Sequence, residues 1–391
     1  MRNFFAVLML LLGAGVACAN TYDEIPFVPM SPEVLGRGGS AIADAHGYDS
    51  LFNNPAGFSR DPSSMTLSST SVWVYSRPDQ LMGLVGQFLH GTSTPASISS
   101  FLNDQVTNGG VGAGGAWGIG YVGGGLGLGA SFILDSVLSG PSYLASTGDL
   151  TGTLGLIAGL SVPFDVGGFK LHVGGDVRPM VRVHALLTNT VAVGVLDALS
   201  SGGSVLSQLG DAPALYGVGI GLDLGAVAEL GVFNVGLSIR DLGGTQFRYN
   251  TTPLSVLTSS LTSSLQFPSN GSVVADQYVI PMDIGVGVSF HPDFGTFNNT
   301  IDPTFGLDMR DIGDVLSGMV SQWAALHLGV ETKFVSAFTF RAGLNQGYLT
   351  LGGGLKFLVF DMNFAVFSRE LGANVGDQPL SGMSFDAAIR W

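Results

Sequence analysis

Charge is scarce in this chain: Asp, Glu, Lys and Arg together make up 11% of its 391 residues. A soluble domain carries about 25% charged residues, so a globule wetted on all sides is excluded. Basic residues are scarcer still, 15 against 29 acidic. That balance excludes a nucleic-acid partner, whose phosphates need a basic face. Cysteine occurs once, at Cys18, so no disulfide within the chain can staple the fold. Long hydrophobic runs are missing as well. Beyond the first twenty residues nothing reaches the roughly 18 apolar residues of a spanning helix. The nearest approach, Ala212 to Ile239, carries Asp223 and Glu229 and alternates with period two.

What the chain does have is glycine, 59 residues, roughly twice the usual share of about 7%, and a mean hydropathy of +0.41. A membrane-grade composition without spanning helices points to a closed β-barrel, because lipid leaves no backbone polar group unpaired. The strands are legible by parity. In one, Leu126, Leu128, Ala130 and Phe132 oppose Gly127, Gly129 and Ser131; in another, Val218, Ile220, Leu222 and Leu224 oppose Gly219, Gly221 and Asp223. Phe338, Phe340, Ala342 and Leu344 likewise oppose Thr339, Arg341, Gly343 and Asn345. Charges fall on the glycine parity, the signature of lipid-facing and lumen-facing sides.

Counting such segments gives about fourteen strands. They fall near 64–75, 114–123, 125–135, 151–163, 168–182, 214–226, 231–241, 280–290, 302–311, 323–334, 336–344, 347–357, 360–368 and 382–391. The fold class expected is all-β, a transmembrane antiparallel barrel. Three Ser/Thr-rich inserts interrupt it, Pro78 to Gly110, Leu186 to Asp211 and Thr251 to Gln277. Their apolar spacing, as in Leu81, Leu84, Val85 and Phe88 or Val193, Val195, Leu196 and Leu199, predicts partly helical extracellular loops.

The first 19 residues combine Arg2, a 13-residue apolar run from Phe4 to Val16, and Ala17-Cys18-Ala19, the pattern of a cleaved secretory signal peptide. Gly15-Val16-Ala17-Cys18 loosely matches a lipobox, which offers lipidation of Cys18 as the alternative. Export and barrel together predict the bacterial outer membrane, with its lipids around the wall. Removing Arg2 from the 15 basic residues leaves 14 against 29 acidic, a net charge of −15. The chain closes on SGMSFDAAIRW, with Phe385, Ala387, Ile389 and Trp391 on one face. Such a terminal strand resembles the signal read by the outer-membrane assembly machinery.

Leu35 to Phe58, LGRGGSAIADAHGYDSLFNNPAGF, is unlike anything after it: small, turn-rich, and ending in Asn53-Asn54-Pro55-Ala56-Gly57. An Asn side chain accepts from free N–H groups at a helix start, and Pro after it has no N–H to satisfy. Asn54, Pro55, Ala56 and Gly57 are read as the gating turn of a plug, although an ordinary surface cap has the same local form. The organisation expected is a signal peptide over 1–19, an N-terminal hatch over 20–63 and a barrel over 64–391.

Candidate ligand partners follow from parity. Arg178, Arg182, Arg240, Arg310 and Arg341 fall on or near the lumen face, where a carboxylate in a dry pocket wants a cation. Asp176, Asp223, Asp308 and Glu331 share that face, so lumen ion pairs are the competing use. Arg37 and Asp44 are expected to anchor the plug to the wall in the same way. No enzyme is expected: no Gly-x-Ser-x-Gly or His-Glu-x-x-His occurs, and GGGLGLG from Gly123 lies within alternating strand with no helix after it. No cofactor or metal is expected either. His172 and Asp176 share a strand face but lie about 13 Å apart at the strand rise.

These residues together resemble a known family. The signal peptide, the hatch stretch with Asn54-Pro55-Ala56, about fourteen strands and the terminal aromatic resemble the FadL-type outer-membrane transporters of long-chain fatty acids. HLGVETKFVSAFTFRAGLNQGYLTLGGGLKF is similar to FadL-like outer-membrane proteins of spirochaetes. The resemblance implies passive transport of hydrophobic small molecules, long-chain fatty acids above all, gated by the hatch. It also implies sideways release through a kinked strand, for which Gly123-Gly124-Gly125 and Gly352-Gly353-Gly354 are the candidate weak points. Two other uses of the fold stay open, a secretion-associated carrier of the PorV type and a surface-exposed structural or adhesive barrel.

Overall fold

The computed structural model describes residues 20–60, 62–90, 94–187, 210, 212–264 and 266–391. The expected signal peptide over 1–19, with Cys18, and most of the second insert, including Val193, Val195, Leu196 and Leu199, lie outside the described residues.

The sheet contains 18 strands. Four of them, β1 (Thr21–Asp23), β9 (Thr245–Pro253), β10 (Ser272–Val273) and β11 (Gln277–Ile280), are additions at one rim, and the other 14 form a closed antiparallel barrel. In chain order the wall is β2 (Ser64–Tyr75), β3 (Val111–Gly123), β4 (Leu126–Ser139), β5 (Thr147–Val166), β6 (Phe169–Leu187), β7 (Pro213–Leu230) and β8 (Phe233–Arg240). It continues with β12 (Asp283–Phe290), β13 (Ile301–Met309), β14 (Leu326–Phe334), β15 (Phe338–Asn345), β16 (Tyr348–Phe357), β17 (Phe360–Glu370) and β18 (Pro379–Arg390). β18 pairs with β2 from Gly382↔Tyr75 to Arg390↔Thr66, and Trp391 and Met65 exchange backbone hydrogen bonds, so the ring has no free edge. All fourteen expected strands are present, with ends shifted by a few residues.

The parity turns the usual soluble pattern inside out. On β7, Val218 and Ile220 are 55% and 65% exposed, whereas Asp223 on the opposite parity is 2% exposed. Outward Leu, Val and Phe side chains repeat this round the wall, a lipid-facing band that makes the chain an outer-membrane barrel. The core lies inside. Its main cluster joins Phe27, Leu51, Phe52 and Phe58 of the N-terminal segment to Trp73, Ile157 and Met180 of the wall.

Short turns close one rim, at Gly124, Gly167, Gly231 and Leu358, and long connections rise from the other. The first insert forms helices α3 (Pro78–Leu89) and α4 (Pro95–Thr107), and the third begins with α5 (Leu254–Ser264), which buries Leu254 and Leu257. The N-terminal segment contributes two earlier helices, α1 (Pro32–Gly36) and α2 (Ser50–Asn53), and a last one, α6 (Ile312–Ser317), follows β13.

The wall is broken, but not at the glycine triplets. Gly123, Gly124 and Gly125 make the β3–β4 turn with positive φ, and Gly352 to Gly354 stay in register with both β15 and β17. The interruption falls at residues 241–244, between β8 and β9. Here Asp241 takes φ 50° and Gly243 and Gly244 take φ 77° and 82°, and β7 switches partner from β8 to β9. Next to it, Pro281 and Met282 separate β11 from β12. β13 stops at Met309, so above that level β1 takes its place, pairing in parallel with β11 from Thr21↔Gln277 to Asp23↔Val279.

Candidate functional site

Residues 24–60 lie in the lumen, and their irregular backbone has to find partners without a ladder of its own. Wall side chains supply them. Asp308 Oδ2 accepts from the amides of Ala41 (2.6 Å) and Ile42 (2.8 Å). Ser238 Oγ donates to Asn53 O (2.8 Å), Ser161 Oγ to Ala56 O (3.1 Å), and Ser384 Oγ to Met30 O (2.6 Å).

Asn54 does more than cap. Its Oδ1 accepts from Ala56 N at 3.1 Å, while Nδ2 donates to Ile42 O at 2.9 Å and to Leu237 O of β8 at 3.2 Å. Pro55 opens the 3-10 turn Pro55–Ser59 as the cap chemistry requires. Asn54, Pro55, Ala56 and Gly57 are all buried, so this is not a surface cap. The turn is moulded onto wall glycines: a Cβ on Gly225 would strike Asn54 and Pro55, one on Gly174 would strike the Pro55 carbonyl, and ones on Gly127 or Gly159 would meet the Phe58 ring.

The segment divides the lumen. On the long-loop side is a cavity of about 450 Å³ with Ile25, Val28, Val34, Phe52, Ile133 and Met282 in its lining. On the short-turn side is a cavity of about 350 Å³ with charged walls, among them Glu33, Lys333, Asp361 and Arg390. Asp49 touches both. Its carboxylate accepts from Ser31 Oγ at 3.0 Å. Burial, then the neighbouring Glu33 charge, raises it above its ordinary value, against the pull of Arg390, Arg37 and Ser31.

The five arginines divide between these spaces. Arg240 and Arg310 line the apolar cavity, share Asp283 at 4.0 and 3.7 Å, and reach Phe52 O and Asn53 Oδ1 at 3.2 Å each. Arg341 lines the charged cavity and is held by Glu331 (2.6 Å) and Asn363 (2.7 Å). Arg178 is fully buried on Asp223, with Asp241 and Asp176 at 3.4 and 3.6 Å. Asp241 N and Thr245 Oγ1 hydrogen-bond to Asp223 and Asp241 respectively, so this cluster braces the wall break. Arg37 pairs with Asp44 inside the segment at 2.7 Å rather than with the wall. His172, on the lumen face, meets Ser59 Oγ at 2.8 Å.

Arg182 meets a carboxylate that parity alone does not reveal. Its Nη1 donates to Glu24 Oε2 at 2.9 Å and to Ile25 O at 2.9 Å, and its Nε to Thr153 Oγ1 at 2.8 Å. Glu24 Oε1 also accepts from Tyr249 Oη at 2.9 Å and lies 3.0 Å from His184 Nδ1. Burial works to raise the Glu24 carboxyl, but the His184 hydrogen bond and the His184 and Arg182 charges, with Tyr249, hold it below its ordinary value. In the sequence Glu24 is the second of two adjacent acids, Asp23-Glu24, just before Ile25 and Pro26, and nothing in that stretch singles it out from Asp23.

No family model and no curated protein matches the chain in sequence. Among solved structures it is similar to the CymD monoaromatic hydrocarbon channel, at 15% identity over 94% of this chain and 98% of that one, TM-score 0.49. The Pseudomonas putida toluene transporter TodX matches at 14% identity over 94% and 99%, TM-score 0.47. A Pseudomonas aeruginosa FadL homologue matches at 13% over 94% and 98%, TM-score 0.44. The family whose hatch motif the sequence resembles is thus among the chain's structural neighbours.

Proposed function

We propose that this protein carries hydrophobic small molecules across the outer membrane, with the apolar cavity as the ligand site and residues 20–63 as the hatch beneath it. Long-chain fatty acids are the ligand class. The supporting observation is the pair of cavities: an apolar one of about 450 Å³, within the range of small-molecule sites, kept apart from a charged one by the buried hatch. A ligand entering from the long-loop side is desolvated among Val28, Phe52 and Ile133 and stops there. Onward passage requires the hatch to shift at Asp49, which borders both cavities and is held by Ser31. Asn54, Pro55, Ala56 and Gly57 are the fixed end of that hatch, because their turn is pinned to the wall on both faces.

The test is uptake of labelled oleate by a Gram-negative host lacking its own fatty-acid transporter and expressing this chain, beside an Asn54→Ala/Pro55→Ala variant. Saturable uptake that is lost in the variant supports the proposal. Uptake no greater than in cells without the chain, from a barrel shown to be assembled by heat-modifiable mobility, overturns it.

A further inference from the structure

The Glu24 pocket has the form of a receptor for a carboxylate. Three side chains from two strands, Arg182 and His184 on β6 and Tyr249 on β9, converge on one carboxylate at 2.9, 3.0 and 2.9 Å, and all are buried. Thr153 from β5 holds the Arg182 Nε, and the Phe247 ring lies under the guanidinium at 4.7 Å. Such a set of charge-assisted donors is strong and directional. It is also preformed, since every donor comes from a strand paired within the sheet.

The occupant is held differently. Glu24 belongs to an extended strap, residues 20–31, held to the neighbouring strand by the three-residue parallel β1 and by flanking bonds from Glu24 N to Val279 O, from Gln277 N to Asn20 O and from Asn20 N to Asp276 Oδ1. Thr21, Tyr22 and Asp23 are all exposed. Pro26 and Pro29 have no N–H to pair. The strap is fixed at its far end, where Met30 O and Ser31 Oγ bind Ser384 and Asp49. Between these points, Ile25, Pro26, Val28 and Pro29 form one side of the apolar cavity, and Glu24 itself borders it.

Building on the transport reading above, we propose that the pocket of Arg182, His184 and Tyr249 is the docking site for the carboxylate of the transported ligand, and that Glu24 is a built-in occupant which the ligand displaces. Exchange of one carboxylate for another leaves the charge of the pocket unchanged, so neither state strands a buried cation. Arg240 and Arg310 are instead engaged with the segment itself, donating to Phe52 O and Asn53 Oδ1. Displacement releases the strap from β11 and so enlarges the cavity just as the ligand's chain arrives. The ligand class that follows is a hydrophobic monocarboxylate, in preference to the matching alcohol or hydrocarbon.

The experiment is calorimetric titration of the full-length barrel in lipid nanodiscs with dodecanoate and, separately, with dodecanol. Glu24→Ala removes the internal competitor. If the strap is open less than a tenth of the time in the parent, dodecanoate binds the variant at least about tenfold more tightly, with dodecanol changed less than about twofold. A second variant, Tyr22→Cys/Tyr278→Cys, places cysteines at directly paired positions and locks the strap shut when oxidised. Dodecanoate binding is then lost and returns on reduction. Dodecanoate binding that is unchanged or weaker in Glu24→Ala, and indifferent to the disulfide, while dodecanol still binds, overturns the exchange but leaves the transport reading standing. Failure of both probes to bind any form overturns the two together.

Discussion

Asn54→Ala tests whether the buried turn, rather than the barrel, holds the lumen shut. The substitution removes an N-cap, which contributes about 1 kcal/mol. It also removes two hydrogen bonds to the carbonyls of Ile42 and Leu237, each contributing about 1 kcal/mol net. The sum, about 3 kcal/mol, falls on a local opening of residues 40–60 and not on the fourteen paired strands. At 1.4 kcal/mol per factor of ten, that raises the open population about 100-fold. The amides of Ala41 and Ile42 are the right reporters, because their acceptor, Asp308, is untouched. Hydrogen exchange at both is expected to quicken by about two orders of magnitude, with strand amides unchanged. Asn54→Asp sharpens the test. Asp is as good an N-cap as Asn on an exposed helix, but here it would set a carboxylate against two carbonyls, so it is expected to open the segment at least as much as Ala. If Asp behaves like the parent, or if exchange at Ala41 and Ile42 changes less than about fivefold, the turn is an ordinary cap and this reasoning is wrong.

Asp308 offers an independent anchor. Asp308→Ala orphans two buried amides and is expected to increase leakage of small hydrophilic solutes in a liposome-swelling assay, whereas Asp308→Asn keeps it near parental, since one oxygen accepts both bonds. His46, on the segment, faces Glu33, Asp44 and Arg37. Burial alone would lower its pKa, but the Glu33 hydrogen bond and the Asp44 and Glu33 charges raise it from 6.5 to about 9. A raised value stabilises the folded segment fully below pH 6.5 and ceases to do so as pH rises through about 9. Leakage is therefore expected to climb across that window in the parent and to stay flat in His46→Gln; a flat parental profile would refute the role of His46.

The barrel was legible because lipid imposes a simple rule on every strand. One parity must be apolar, the other is free, and a two-residue period over Val218 to Leu224 can mean little else. What escaped were the pieces that obey no such rule. β9, β10 and β11 follow the break at residues 241–244, where Asp241 at φ 50° interrupts the alternation and the chain resumes out of step. β1 is three residues long and leans on one neighbour, too short for any period to register. The arginines were placed on the correct face, but a face does not name a partner. Glu24 stands 158 residues from Arg182, and only the closed ring brings them together.

The glycines show how far composition can mislead about mechanism. A glycine triplet within a strand reads as a weak point, yet Gly352 to Gly354 are fully paired, and Gly352 faces the N-terminal segment: a Cβ there would sit 3.0 Å from Gly36 Cα. The same holds at Gly236 against Ala43 and at Gly285 against Ile42. The lumen parity is rich in glycine where the segment presses closest, so wall and segment are two halves of one packed interface. Sequence change in either half is therefore constrained by the other. A side chain added at Gly225 should unseat Asn54 as surely as changing Asn54 itself, although the two lie far apart in the chain and on different elements.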